Sequence, residues 1–375
     1  MCQNLKKNKL CLIYNTAPRY REAIFKAIDQ EFDCDWYFGP TKTDIKEMNT
    51  SLLKNVKYYK TFGDPEKYYF KWGTIRLLFK KKYQTFFCIP STRSLSDWVF
   101  FWIAFNFFPN KKIYLWTHGW YGKESPHEAM MKLWLYRNAT GVFCYGDYAC
   151  KLLEKEGINR NKLFSIHNSL DYDQQKALRD CIQPSTVYLD HFGNNNQTII
   201  FIGRLTKVKQ LDLLVDAVAE LKKKGEIYNL TFIGEGSEGE NLKIKVKSLG
   251  LEKQVWFYGA CYDEKINAEL IYNADLCVAP GNIGLTAMHT LMFGTPVVSH
   301  NDFKWQMPEF EAIRPGKTGC FFQKGSLSSL VDSISCWFAE KHDQREEVRK
   351  ACFNEIDNNW NPHYQMNIIK KYLKF

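Results

Sequence analysis

The feature that most constrains this chain is an alternation. Short apolar runs, rich in β-branched and aromatic residues, are each followed by a stretch with helical spacing. In the first half the runs are Lys9–Tyr14, Asp35–Phe38, Phe86–Pro90, Ile113–Thr117, Gly141–Tyr145 and Leu163–His167. In the second half they are Thr198–Ile202, Leu230–Ile233, Val255–Tyr258, Leu276–Ala279 and Pro296–Ser299. A strand that is apolar on both faces must be covered on both, and interleaved helices supply the cover. The pattern therefore predicts an α/β fold with parallel sheets. At 375 residues the chain exceeds one ordinary domain and suits two. Gln183–Gln197 contains Pro184 and the polar Gly193-Asn-Asn-Asn-Gln197, and has turn chemistry without a hydrophobic period. The sequence thus predicts a first domain over 1–182, a linker over 183–197 and a second domain over 198–360. A final amphipathic helix is expected after Pro362. In open α/β domains, ligands bind in the crevice at the carboxyl ends of the strands.

Composition excludes several classes. Hydrophobic residues make up 45% and charged residues 25%, which suits a soluble globular protein and not a disordered one. The twelve cysteines form no Cys-x-x-Cys pair, so a zinc knuckle or redox motif is not expected. Cys11, Cys88, Cys144 and Cys277 lie in apolar runs, where a thiol acts as a small hydrophobe, and free thiols in a reducing compartment are expected for the set, Cys2 included. The start, Met1–Lys9, is polar and basic and has no signal-peptide core. Trp98–Phe108 is the most hydrophobic stretch, but it is roughly half the length of about 20 residues needed to span a bilayer. The net charge of +10 is partly concentrated in Lys71–Tyr83, which mixes bases with aromatics. That segment reads either as a solvated helix face with core contacts or as a patch resting on an anionic membrane. Nucleic acid is not expected as a partner, because no reader motif accompanies the charge.

Three segments of the second half carry chemistry. In Phe201-Ile-Gly-Arg-Leu-Thr-Lys-Val-Lys-Gln210, a strand ends at Ile202 and the following loop carries Arg204 and Lys209. Cations at the carboxyl end of a strand suit a diphosphate, and they also suit two surface bases near a helix start. Gly234-x-Gly236-x-x-Gly239 follows a predicted strand and matches a dinucleotide fingerprint. It belongs to the second unit of its domain, not the first, so it reads as a tight turn that lets a base or ribose approach the backbone rather than as a nicotinamide site. In Ala279–Val298 a strand runs into Pro280, Gly281 and Gly284 make a turn, and a helix starts near Leu285. The amides of Gly284, Leu285 and Thr286 would form an anion site by geometry and dipole.

Gly203-Arg-Leu, Lys209, the Gly-x-Gly turn at 234–236, Val255-x-Phe-x-Gly259, Ala274-Asp275, Pro280–Val298 and Pro315-Gly-Lys-Thr-Gly319 together resemble glycosyltransferase family 4, in order and spacing. The resemblance reaches the first half through Tyr14-Asn-Thr-Ala-Pro-Arg-Tyr-Arg21, Trp116-Thr-His-Gly-Trp120 and His167-Asn-Ser-Leu-Asp171. It implies the GT-B fold: two doubly wound Rossmann-like domains facing across a cleft, with the C-terminal helix (361–375) returning to the first. It implies a retaining transferase that takes a nucleotide-diphosphate sugar as donor and requires no metal or other cofactor. Arg204 and Lys209 match the pair that holds the diphosphate, and the helix start at Gly284, Leu285 and Thr286 matches the one that caps the distal phosphate. Gly203, Gly234 and Gly236 fall in the donor site. His118 matches the histidine that faces the donor sugar; the alternative is a satisfied turn residue.

The chain departs from the family pattern at two places. Where the family commonly has glutamates contacting the sugar hydroxyls and the ribose, this chain has Gly281 and His289. His289 either contacts the ribose or packs. Asp302, Gln306, Glu309 and Glu311 follow a strand end and are candidates for polar contacts to the sugar; Glu309 aligns with a family glutamate. The first domain is expected to bind the acceptor, with Arg19 and Arg21 meeting a phosphate. A lipid-linked oligosaccharide at the cytoplasmic face of the inner membrane, in surface-polysaccharide (capsule) assembly, accommodates these features together. The alternatives are an inactive nucleotide-sugar-binding homologue, which the missing glutamates favour, or another GT-B enzyme such as a nucleotide-sugar epimerase.

Overall fold

The computed structural model describes residues 8–40 and 46–374, so Met1–Lys7 with Cys2 lie outside the described residues. The chain divides into two compact units. Unit 1 comprises residues up to Asp171 together with Pro362–Phe375, and unit 2 comprises Tyr172–Asn361.

Unit 1 carries strands β1 (Lys9–Tyr14), β2 (Cys34–Phe38), β3 (Val56–Tyr58), β4 (Thr61–Gly63), β5 (Tyr69–Lys71), β6 (Tyr83–Cys88), β7 (Lys112–Thr117), β8 (Gly141–Cys144) and β9 (Leu163–Ser165). Its helices are α1 (Glu22–Glu31), α2 (Leu95–Phe107), α3 (Pro126–Asn138), α4 (Asp147–Lys155) and the C-terminal helix Pro362–Tyr372. Seven strands form one parallel sheet in the order β3-β2-β1-β6-β7-β8-β9, and β4 and β5 form a separate antiparallel pair. The central strands read as unbroken apolar runs because helices cover both faces: β2 is buried throughout, and Phe86, Phe87, Leu115 and Trp116 are fully buried. The C-terminal helix completes the unit. Ser169 Oγ donates to Gln365 Oε1 at 2.6 Å, Thr85 Oγ1 donates to the Lys374 carbonyl at 3.3 Å, and Phe164 stacks on Tyr372 at 4.1 Å.

Unit 2 carries β10 (Thr198–Ile202), β11 (Asn229–Ile233), β12 (Val255–Gly259), β13 (Leu276–Ala279), β14 (Val297–His300) and β15 (Gly319–Phe322). Its helices are α5 (Tyr172–Cys181), α6 (Val187–Phe192), α7 (Leu211–Lys223), α8 (Gly239–Ser248), α9 (Glu264–Asn273), α10 (Leu285–Met292), α11 (Leu327–Lys341) and α12 (Arg345–Asn359). The parallel sheet runs β12-β11-β10-β13-β14-β15, the Rossmann order. In each sheet the strand order reverses once, beside β1 and beside β10, and ligand crevices form at such reversals.

Three sequence expectations are revised. The boundary lies at 171/172 and not in 183–197, and that segment contains helix α6. The cause is specific bonding to unit 2: Arg179 makes a double ion pair with Asp357 at 2.9 and 3.0 Å, Ser185 N donates to Asn273, and Tyr188 Oη donates to the Leu270 carbonyl at 2.6 Å. Of the two readings of Lys71–Tyr83, a continuous basic-aromatic patch gives way to an exposed face with core contacts. Lys71 is 1% exposed and donates to Asp97 at 2.7 Å, and Leu77, Leu78 and Tyr83 are core, while Trp72, Arg76, Phe79, Lys80 and Lys81 face solvent. The strands β3, β4, β5 and β15 were not expected at all. The described cysteines form no disulfide. No helix of the described residues is long and apolar enough to cross a membrane.

Candidate functional site

The unit 2 candidates gather past the carboxyl ends of β10 and β13, where the strand order reverses. Past β10, Gly203 N donates to the Ile233 carbonyl and Leu205 N to the Glu235 carbonyl, both at 2.9 Å. The loop after β11 lies directly against this segment. A Cβ on Gly234 would sit 1.9 Å from the Gly203 carbonyl oxygen, and one on Gly236 would sit 2.3 Å from that of Leu205. These glycines therefore admit the chain's own neighbouring loop. Arg204 is exposed beyond this junction. A short 3-10 turn, Lys207–Lys209, then leads through Gln210, at φ +50°, into α7.

Lys209 turns toward the loop after β13. Its Nζ donates to the Asn282 carbonyl at 2.7 Å and to Asn282 Oδ1 at 3.0 Å, and the Lys209 carbonyl accepts from Gly281 N at 2.9 Å. Burial lowers the Lys209 pKa to about 8; the nearby Glu309 carboxylate opposes that shift and Arg204 adds to it. The close backbone approach explains the glycine at 281. A Cβ there would lie 2.1 Å from the Val208 carbonyl oxygen, so no larger side chain fits while the 208–209 backbone stays in place.

Gly284 caps α10, and the Leu285 and Thr286 amides occupy its first turn, where helical amides have no intrahelical partner. Thr286 Oγ1 anchors this start to the Ile202 carbonyl at 2.8 Å. Gln306 braces it from behind: its Oε1 accepts from Ile283 N at 2.7 Å, and its Nε2 donates to Ser299 Oγ and the His300 carbonyl, each at 2.9 Å. Gln306 is thus a buried strut and not the expected sugar contact. Glu309 is 2% exposed and acts beside Lys209. Asp302 lies 3.5 Å from Lys324.

His289 lies one turn into α10. Its Nε2 is 2.8 Å from Glu264 Oε1, which also accepts from Gln175 Nε2 at 2.7 Å. Burial alone would raise the Glu264 pKa, but the hydrogen bond and charge of His289, with Gln175 and Asn267, hold it below the usual carboxylate value. Sequence reasoning missed Glu264 and Gln175. The one available signal was Asp263-Glu264 at a helix start, which reads only as a cap; Asp263 does accept from Lys265 N.

His118, Arg19 and Arg21 belong to unit 1. His118 directly follows β7, with its ring 4.8 Å from that of Tyr145. More than a third of the residue stays open to solvent, yet the atoms packed around the ring, and then the charges of Arg21 and Lys132, push its pKa down. Arg19 is exposed, whereas Arg21 is buried. Its guanidinium lies 5.0 Å from the ring centres of Trp116 and Tyr145 and 5.6 Å from that of Tyr20. Nη2 bonds Tyr145 Oη, while Nη1 is buried without a hydrogen-bond partner, as are Tyr14 Oη and Trp116 Nε1.

With the geometry in place, known proteins can be compared. Residues 191–354 match the family model of glycosyl transferases group 1. The chain is 34% identical over 185 residues to a GDP-mannose-dependent alpha-(1-6)-phosphatidylinositol dimannoside mannosyltransferase of Mycobacterium tuberculosis, covering 47% of this chain and 46% of that one. It is 30% identical over 159 residues to mannosylfructose-phosphate synthase of Agrobacterium fabrum, covering 39% of this chain and 34% of the relative. The chain thus matches between a third and a half of the length of these relatives. Among solved structures, HepE of Anabaena in complex with UDP superposes with a TM-score of 0.71 over 98% of this chain and 99% of that one, at 17% identity. The lipopolysaccharide outer core galactosyltransferase WaaB, in its apo form, gives 0.70 over 96% and 97%, at 15% identity. The GT-B fold expected from the sequence is the fold of this chain.

Proposed function

We propose that this chain is a retaining glycosyltransferase that moves a sugar from a nucleoside-diphosphate donor to a glycan acceptor. The observation that carries the reading is Lys209, held by Asn282 in the loop that runs into α10, with Arg204 near enough to shift its pKa. Cations and a helix start at the strand-order reversal of a Rossmann-type sheet suit a pyrophosphate. The match to glycosyl transferases group 1 covers the same residues, and HepE is described with UDP and with UDP-glucose.

In the reaction, the bond from the anomeric carbon to the phosphate oxygen breaks and a bond to the acceptor hydroxyl oxygen forms. Positive charge grows on the sugar ring and negative charge on the departing diphosphate. Arg204, Lys209 and the amides of Gly284, Leu285 and Thr286 stabilise the second charge where it develops, in place of a metal. The departing phosphate oxygen takes the proton of the acceptor hydroxyl, so attack comes on the face just vacated and the configuration is retained. His118 faces the donor sugar in this reading. Its lowered pKa keeps the imidazole neutral at neutral pH, so it adds no positive charge beside the ring. Glu309 and His289 complete the donor side, and Arg19 and Arg21 face the acceptor.

A lipid-linked acceptor at the cytoplasmic face of a membrane, in surface-polysaccharide assembly, fits the exterior of unit 1. Trp98, Val99, Trp102, Met131 and Trp134 line an apolar groove on α2 and α3, with Phe79, Phe107 and Met130 also exposed. Lys80, Lys81 and Arg93 are exposed bases of the same unit. Flotation at low salt with vesicles containing anionic lipid tests this part: the protein is expected to float with them, and a protein that stays wholly in solution removes the membrane claim.

The central reading is tested by transfer kinetics, after a thermal-shift screen with UDP, GDP, dTDP, CDP and ADP sugars has identified the donor. A charged hydrogen bond contributes about 1.5–3 kcal/mol, so Arg204→Ala or Lys209→Ala is expected to slow transfer by about 10- to 150-fold. Unchanged turnover in Arg204→Ala refutes the assignment.

A further inference from the structure

We infer that Glu264 supplies the carboxylate that accepts from the ribose hydroxyls of a ribonucleoside diphosphate, and that His289 positions it. The inference deepens the donor reading of the same site and rests on it.

Neither position where a carboxylate was expected carries one. Position 281 cannot carry one in this structure, because the Val208 carbonyl oxygen stands 2.1 Å from where its Cβ would be. Position 289 is a histidine, and its ring is bonded to a carboxylate delivered from another helix. Glu264 is the first residue of α9, which follows β12, so it enters from the carboxyl edge of the sheet, as the loops bearing Arg204 and Gly284 do. His289 lies three residues past Thr286 and four past Leu285, hence on the helix face below the amides that start α10.

The chemistry of the pair follows from its hydrogen bonds. The Glu264 carboxylate only accepts, so His289 Nε2 must carry the proton, and both His289 and Gln175 donate to the same oxygen, Oε1. Asn267 adds a further bond, so the carboxylate is fixed in place. The pair is not sealed off: the Glu264 side chain is 25% exposed and that of His289 15%. A vicinal ribose diol offers two hydroxyl donors, and a carboxylate with several acceptor positions can take both. A 2′-deoxyribose offers one fewer, so the site should discriminate ribonucleotides from deoxyribonucleotides, dTDP forms included.

Calorimetric titration of the full chain with UDP, GDP and their 2′-deoxy counterparts tests this. The wild type is expected to favour the ribonucleotide by about tenfold or more, the scale of one charge-assisted hydrogen bond. Glu264→Gln keeps the shape and can still accept from His289 and Gln175, so it should fold; Glu264→Ala is the second variant. Each is expected to lose most of the ribo-over-deoxy preference, the deoxy form, which keeps only its 3′-hydroxyl contact, being weakened less than the ribo form. An unchanged preference in Glu264→Gln overturns the inference, as does an equal loss for both sugars, which a purely structural role would give. If the wild type binds none of these and no CDP or ADP either, the donor reading itself falls and the inference falls with it.

Discussion

In unit 2, Lys209 meets a carbonyl and an amide oxygen of Asn282, with the Glu309 carboxylate near enough to support its charge. In unit 1, Arg21 lies past the corresponding edge of its sheet among the rings of Tyr20, Trp116 and Tyr145. Its side chain bonds the Tyr145 and Tyr20 hydroxyls and has no carboxylate among the described residues within ion-pair distance. The two sheets share one winding pattern, so the architecture does not set this difference; the loops do. The oxygens around Lys209 only partly offset its burial, since its pKa still falls to about 8. The Arg21 guanidinium has no such oxygen cage and leaves Nη1 buried without a partner, and the electron-rich rings and phenol groups around it support its charge instead, so that its pKa rises.

The comparison is broken most forcefully through Gly281. Gly281→Ala places a methyl 2.1 Å from the Val208 carbonyl oxygen, so the Lys209 turn must move. A loss of about 1–3 kcal/mol of stability from overpacking is expected, together with weakened diphosphate binding. Denaturant melts and calorimetry check both, and a variant with wild-type values would show that the turn is not held as described. The next largest effect is on pH dependence. Lys209 carries its proton below about pH 8 and loses it above, and only the charged form attracts a diphosphate. Affinity for the nucleoside diphosphate should be level below pH 8 and fall about tenfold per unit above it. Lys209→Arg should flatten the decline, and a flat wild-type profile from pH 7 to 10 would place the needed charge elsewhere. The smallest effect sharpens the unit 1 side. Arg21→Met removes a buried charge that has no carboxylate partner and keeps an apolar filling, so the melting temperature should stay level or rise, a change within about 1–2 kcal/mol. A loss of about 3 kcal/mol or more would reveal a compensating partner.

The same contrast explains what could be read from the sequence. β10 and β13 were legible because strands buried on both faces appear as unbroken apolar runs between turn residues. β3 was not, since Val56-Lys-Tyr58 is short and largely exposed; nor was β15, which opens on Gly319. Lys209 and the helix start at Gly284 could be found because the whole device lies in local sequence on two loops. Glu264 and Gln175 could not, because they reach His289 only through the packing of α9 and α5 against α10. The burial of Arg21 could not be read either, because charge usually signals exposure and two of the rings that enclose it come from positions 116 and 145, far along the chain.

The C-terminal helix Pro362–Tyr372 has a consequence for biosynthesis. It belongs with residues that precede unit 2 in the chain, and its bonds to Ser169, Thr85 and Phe164 cannot form until all of unit 2 has been translated. Unit 2 has all its segments in one stretch and can reach its final form earlier, so unit 1, although most of it is translated before unit 2, is sealed after it.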